Sequence, residues 1–135
     1  MAIQILYDYQ KASVTTLRDC ANVINDRLKE RGINKLLEIV PCDCWTFPET
    51  AKSQNWDVVI MHLGPNSAGA YRIAQDIKLN SGNHLVAESS MYPENEREVL
   101  ESFDDYIPLD NKRRVIRLLE ILKSRKVVPV DLKIE

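Results

Sequence analysis

Short runs that are apolar throughout recur along this chain, and each is followed by apolar residues spaced three and four apart. That alternation constrains the fold more than any other feature. Ile3 to Tyr7 is the first run and ends at Asp8. Val14, Leu17, Ala21, Ile24 and Leu28 then mark one helical face, with Ser13 as the expected N-cap and Gly32 as the stop. Leu36 to Val40 is the second run, expected to break at Pro41. Thr46-Phe-Pro-Glu49 has capping-box spacing with Pro in the first turn, so a short second helix is expected there. Asp57 to Leu63 is the most apolar run and reads as a central strand. Ala70, Ile73, Ala74 and Ile77 form a third helical face closed by Asn80-Ser-Gly82. His84 to Ala87 is a fourth strand ending in Glu88-Ser-Ser90. Pro93 with Glu94 and Glu96 suits the start of a fourth helix. Tyr106-Ile107 is a fifth strand. Asp110 is expected to cap a last helix carrying Val115, Leu118, Leu119 and Leu122.

Strands that are apolar throughout belong to a sheet covered on both faces. Right-handed crossovers then make a doubly wound, five-stranded parallel α/β sandwich, flavodoxin-like, of the form (βα)5. One domain over residues 1–125 is expected, with 126–135 as a C-terminal tail or a short extra strand. At 135 residues the chain is long enough to bury a core without staples.

Composition narrows the function classes. Apolar residues are 44% and charged residues 28%, and the net charge is −2. That balance disfavours a basic nucleic-acid module. No apolar run approaches the roughly 18 residues of a membrane span. The acidic start of the chain does not read as a signal peptide, so none is expected. Three cysteines, an odd number, suit a reducing cytoplasm rather than a disulfide framework.

Ligands in such sheets sit at the carboxyl ends of the strands. The residues to read are therefore Asp8, Pro41 to Cys44, His62, Glu88 to Ser90 and Pro108 to Asp110. The first loop, Asp8-Tyr-Gln-Lys-Ala-Ser13, has no glycine. A Rossmann fingerprint, a P-loop and a flavodoxin-type flavin loop are all absent. No cofactor is expected.

Phe103-Asp-Asp-Tyr-Ile-Pro-Leu109 is similar to the approach to the fifth strand's end in receiver domains of two-component response regulators. Trp56-Asp-Val-Val-Ile-Met-His62 resembles that family's third strand, and Pro65 and Gly69 keep its spacing into the third helix. The resemblance spans residues 2–125. It implies a signalling module, and it also implies that the active chemistry is lost. His62 stands where the family's phospho-acceptor aspartate would be. Only Asp8 matches the acid pair that holds the metal, because Tyr7 takes the other place. The family's lysine falls on Leu109. Ser89 matches the Ser/Thr ending strand four, and Tyr106 matches the aromatic that reports activation. A phosphoryl group and its divalent cation need several anionic oxygens and a paired cation, and one carboxylate, an imidazole and a leucine supply too few. Asp57 cannot substitute, because five residues along a strand is roughly 16 Å. A degenerate pseudo-receiver that docks to protein partners or to itself is therefore expected, and no catalysis.

The remaining features carry alternatives. His62 is a pH-sensitive group or a partly buried histidine hydrogen-bonded to Asp8. Cys42-Asp-Cys44 with His62 or His84 is a weak metal pattern, and no metal is expected; Cys20 reads as core. Lys112, Arg113, Arg114, Arg117, Lys123, Arg125 and Lys126 face a single acid, Glu120, on the last helix and just beyond it. Residues 94–110 hold seven acids and one Arg. The bland reading is a solvated face. The functional reading is a docking face centred on Arg113, Arg114 and Arg117, self-complementary under a two-fold axis. Trp45 and Phe47 are a hydrophobic staple or a partner anchor, the staple being preferred. Asp8, His62 and Ser89 could instead serve a small-molecule binder or an enzyme as acid, base and hydroxyl.

Overall fold

The most apolar run forms the middle of the sheet. Val58–His62 is β3, buried along four of its five residues. It lies between β1 (Ile3–Asp8) and β4 (Leu85–Ser89), with β2 (Leu37–Cys42) and β5 (Asp105–Pro108) at the edges. The order β2-β1-β3-β4-β5 is parallel throughout. This computed structural model describes residues 2–8, 11–63, 68–89, 101–108 and 111–134.

Helices α1 (Lys11–Glu30), α2 (Phe47–Lys52) and α3 (Ala68–Asn80) follow the first three strands, and α4 (Asn111–Ser124) follows β5. Alternate strand residues sort the core into two layers. Ile3, Ile5, Tyr7, Val58, Ile60, Val86 and Ile107 pack with Leu17, Ile24 and Leu28 of α1 and Leu118, Ile121 and Leu122 of α4. Leu6, Val59, Met61, Leu85 and Ala87 pack with Phe47 and Ala51 of α2, Ala74 and Ile77 of α3, and Phe103. Helices thus cover both faces, as expected of a doubly wound α/β sheet.

The expected ends hold in part. Gly32, at φ +72°, closes α1: its N–H bonds Lys29 O at 2.9 Å, and the Ile33 N–H bonds Leu28 O at 2.9 Å. This is a Schellman cap, and the positive φ suits glycine. Three local expectations need correction. Helix α1 already begins at Lys11, so Ser13 lies inside it rather than capping it. Strand β2 runs through Pro41, which pairs with Tyr7. An edge strand has one ladder partner, so a residue without an N–H is tolerated there. The capping box at Thr46 does not form: Thr46 makes no side-chain cap bond. Asp43 takes that role, its Oδ1 accepting the N–H groups of Trp45 and Thr46 at 3.0 Å each.

The pair Trp45 and Phe47 also divides. Phe47 is buried in the core, while Trp45 is 89% exposed, so no staple forms. The fourth helix expected after Pro93 falls outside the described residues, apart from helical Glu101 and Ser102, and so does Asp110 as a cap. Residues 126–134 form no strand. Their Val128 and Leu132 are buried in the α1–α4 layer, and Asp131 takes a two-bond ion pair from Arg31 at 3.0 and 2.7 Å.

Candidate functional site

Three strands deliver polar residues to their carboxyl ends. Asp8 ends β1, His62 ends β3, and Glu88 stands one residue before the end of β4. Parity aims them: Tyr7, His62 and Glu88 share the strand face of Ile5, Ile60 and Val86, the face covered by α1 and α4. His62 and Glu88 are register partners.

Glu88 is the centre of this cluster and is fully buried. The Tyr7 hydroxyl donates to its Oε1 at 2.5 Å. Arg114 of α4 donates to its Oε2 from Nη2 at 2.9 Å and from Nε at 3.2 Å. The other guanidinium nitrogen, Nη1, donates to Thr16 Oγ1 of α1 at 2.5 Å. Arg114 is itself only 1% exposed. A buried charge must be paired and hydrogen-bonded to persist, and both members of this pair are.

Arg114 therefore overturns two expectations. It is not part of a surface docking face, because its guanidinium is turned inward against Glu88. The crevice is also not short of a cation: α4 supplies one where Leu109 suggested none. The helical spacing held the signal. Arg114 lies four residues before Leu118, on the same inward stripe. Glu88 was within reach of the same reasoning, since it shares parity with the buried Val86 in a strand covered on both faces.

Asp8 has the opposite environment. It is buried, and its Oδ1 has no hydrogen-bond partner among the described residues. Burial raises its pKa from 3.8 to about 6. The His62 backbone N–H and the His62 charge oppose that rise, and the Glu88 charge adds to it. The guanidinium of Arg114 is spent on Glu88, and among the described residues Asp8 makes no ion pair with an arginine or lysine.

His62 meets Asp8 through its backbone N–H rather than through its ring. The ring Nδ1 lies 4.0 Å from Glu88 Oε1, too far for a hydrogen bond, and has no partner among the described residues. The expected side-chain bond between His62 and Asp8 is thus replaced by a backbone one.

The other expected site residues fall as follows. Ser89 ends β4 in register with Pro108. Tyr106 is half-buried and packs with the α2–α3 layer, on the opposite face from Glu88. Leu109 lies outside the described residues. Asp57 sits at the far end of the sheet, its Oδ2 accepting the Gln4 N–H at 2.8 Å. Arg113 is exposed on α4. Arg117 is half-buried, donating to Asp105 at 2.8 Å, to Glu120 at 3.1 Å and to the Tyr106 carbonyl at 3.1 Å.

Cys20 is buried, and burial pushes its thiol pKa up. Cys44 is exposed and Cys42 half-buried, its Sγ 3.2 Å from Thr46 Oγ1. His84 begins at the opposite end of the sheet, its Nε2 2.5 Å from Asp105 Oδ2, so it does not meet the cysteine pair. Among the described residues no three histidine, cysteine or acidic side chains are grouped to hold a metal ion. Among them, too, no helix is long and apolar enough to cross a membrane.

No protein-family model matches the sequence, and no curated protein matches it. Solved structures do match. The chain is similar to the response regulator domain of Thermotoga maritima CheB, with 21% identity, 96% of this chain and 100% of that one covered, and a TM-score of 0.67. It is similar to an orphan response regulator of H. pylori, with 17% identity, 91% and 95% covered, and a TM-score of 0.59. It also resembles a receiver domain protein from Methanospirillum hungatei, with 15% identity, 92% and 95% covered, and a TM-score of 0.60. With its five parallel strands in the order β2-β1-β3-β4-β5, this chain has the fold of the response-regulator receiver domains.

Proposed function

We propose that the chain is a pseudo-receiver: a signalling module of receiver fold that takes no phosphate on an aspartate and acts by docking. The observation that carries this reading is the occupation of the strand-end crevice by the molecule's own charges. His62 stands at the end of β3, and the best-placed buried carboxylate, Glu88, is saturated by Tyr7 and Arg114. Among the described residues only Asp8 has an unpartnered carboxylate oxygen to offer, and burial disfavours its ionised form. A hard divalent cation needs several anionic or carbonyl oxygens, and this set falls short.

Docking is assigned to proteins in a cytoplasmic setting, either another signalling protein or a second copy of the chain. The surface is the side formed by β5 and the outer face of α4. Arg113 and Ile116 are exposed on that helix, Ile116 by 49%. Arg117 links the helix to β5 through Asp105. In sequence the acidic stretch 94–110 precedes this basic helix, and opposite charges of that kind are complementary under a two-fold axis.

The test is intact-mass spectrometry after incubation with acetyl phosphate and Mg²⁺. The expected mass is that of the unmodified chain. An acid-labile or base-labile phosphoryl adduct at any residue of the crevice would overturn the reading.

A second reading has one observation in its favour. Asp8 Oδ1 and His62 Nδ1 are buried polar atoms without partners among the described residues, the kind of pair a small ligand satisfies. A thermal-shift screen against nucleotides and metabolites discriminates. A stabilising hit that disappears in both Asp8→Ala and His62→Ala would favour a small-molecule binder.

A further inference from the structure

Donors from two separate elements converge on one carboxylate at the α1–α4 layer. The Tyr7 hydroxyl comes from β1 and the guanidinium from α4, and Thr16 of α1 holds a third guanidinium nitrogen. The anion comes from β4. Arg114 presents its fork through Nε and Nη2 together, the geometry with which arginine takes a carboxylate. Every one of these groups is removed from water except Thr16, which is half-buried.

We infer that Arg114 and Tyr7, with Thr16 orienting the guanidinium, form a binding site for a small carboxylate, and that Glu88 is the tethered anion that fills it. The site's donors belong to α4 and β1, Thr16 of α1 accepts from the guanidinium and orients it, and the occupant belongs to β4. Occupancy therefore seats α1 and α4 against the fourth strand. Because the anion is part of the chain, its effective concentration is high and a free anion has nothing to displace it with. The helices are held in one position without any external ligand. This goes beyond the docking reading and does not depend on it.

Chemical rescue tests the site on the whole chain. Glu88→Ala deletes a group the size of acetate and leaves the donors facing the space. Thermal melts of this variant are run in sodium acetate and in sodium chloride at equal ionic strength and pH. Acetate should raise its Tm saturably by several degrees relative to chloride, as a ligand that binds only the folded state does. Wild type and the double variant Glu88→Ala with Arg114→Met should show no acetate-specific rise. Equal melts in both salts, or an equal acetate effect in the double variant, would overturn the inference.

Should Glu88→Ala fail to fold in either salt, Glu88→Gln keeps the shape and removes the charge. Hydrogen exchange at Arg114 Nε, followed by NMR, should then speed up at least tenfold relative to wild type. Unchanged exchange would overturn the inference equally. Neither readout involves phosphorylation or self-association, so this site and the docking reading fail separately.

Discussion

Replacing Asp8 with asparagine should stabilise the protein, and only at neutral pH. The carboxyl is buried, its Oδ1 has no hydrogen-bond partner among the described residues, and its pKa is raised from 3.8 to about 6. Folding therefore tightens its hold on a proton. Stability from this group is greatest below the unfolded value, falls as pH rises from about 4 to about 6, and stays low above that. A rise of roughly 2 pH units corresponds to about 3 kcal/mol between acidic and neutral pH. Asparagine is the same size, keeps an oxygen for the His62 N–H and carries no charge. Asp8→Asn should thus be more stable than wild type by about 2–3 kcal/mol at pH 7.5 and nearly equal to it at pH 4. Urea unfolding of both chains at both pH values measures this, and the difference between the chains cancels the titrating groups that are not coupled to Asp8. A gain of the same size at both pH values, or a loss at pH 7.5, would refute the assignment of burial as the cause.

Removing the guanidinium in Arg114→Met leaves Glu88 buried without a counter-charge and should cost about 3–5 kcal/mol in urea unfolding; Arg114→Met with Glu88→Leu should recover most of it. Phe47→Ala should cost about 3–5 kcal/mol by emptying a core position, while Trp45→Ala should stay within about 0.5 kcal/mol of wild type, which separates the two aromatics that the sequence placed together. Gly32→Ala should cost about 1 kcal/mol in thermal melts, because alanine must adopt the positive φ of the α1 cap.

What the sequence disclosed, and what it hid, follows from the range of the interactions. Leu17, Ala21, Ile24 and Leu28 sit on one stripe, and Val58 to Met61 are apolar without a break. Each pattern reports a local period and a covered sheet, so the fold class was legible. Pro41 stays in β2 because strand ends depend on whether a neighbour lies on one side or two, which local composition does not state. Thr46 does not cap α2 because a cap is decided by which nearby oxygen reaches the free N–H groups, and Asp43 reaches those before α2. Asp8 and His62 were legible as strand-end residues. Their true relation to Glu88 was not, because Glu88 and Arg114 are 26 residues apart and meet only across the packed sandwich. Charge counting along α4 assigned Arg114 to the surface with its neighbours. The helical stripe through Leu118 assigned it to the interior, and burial followed the stripe.

The central claim is that the strand-end crevice, with Glu88 paired internally to Arg114 and Tyr7 and His62 at the end of β3, cannot assemble the metal and phosphoryl site of an active receiver. It is tested most directly by titrating the ¹⁵N-labelled chain with Mg²⁺ and beryllofluoride, a phosphoryl mimic, while following backbone amides. The account predicts no saturable shift at Asp8, His62, Glu88 or Ser89. A saturating, Mg²⁺-dependent shift of those four amides would contradict it.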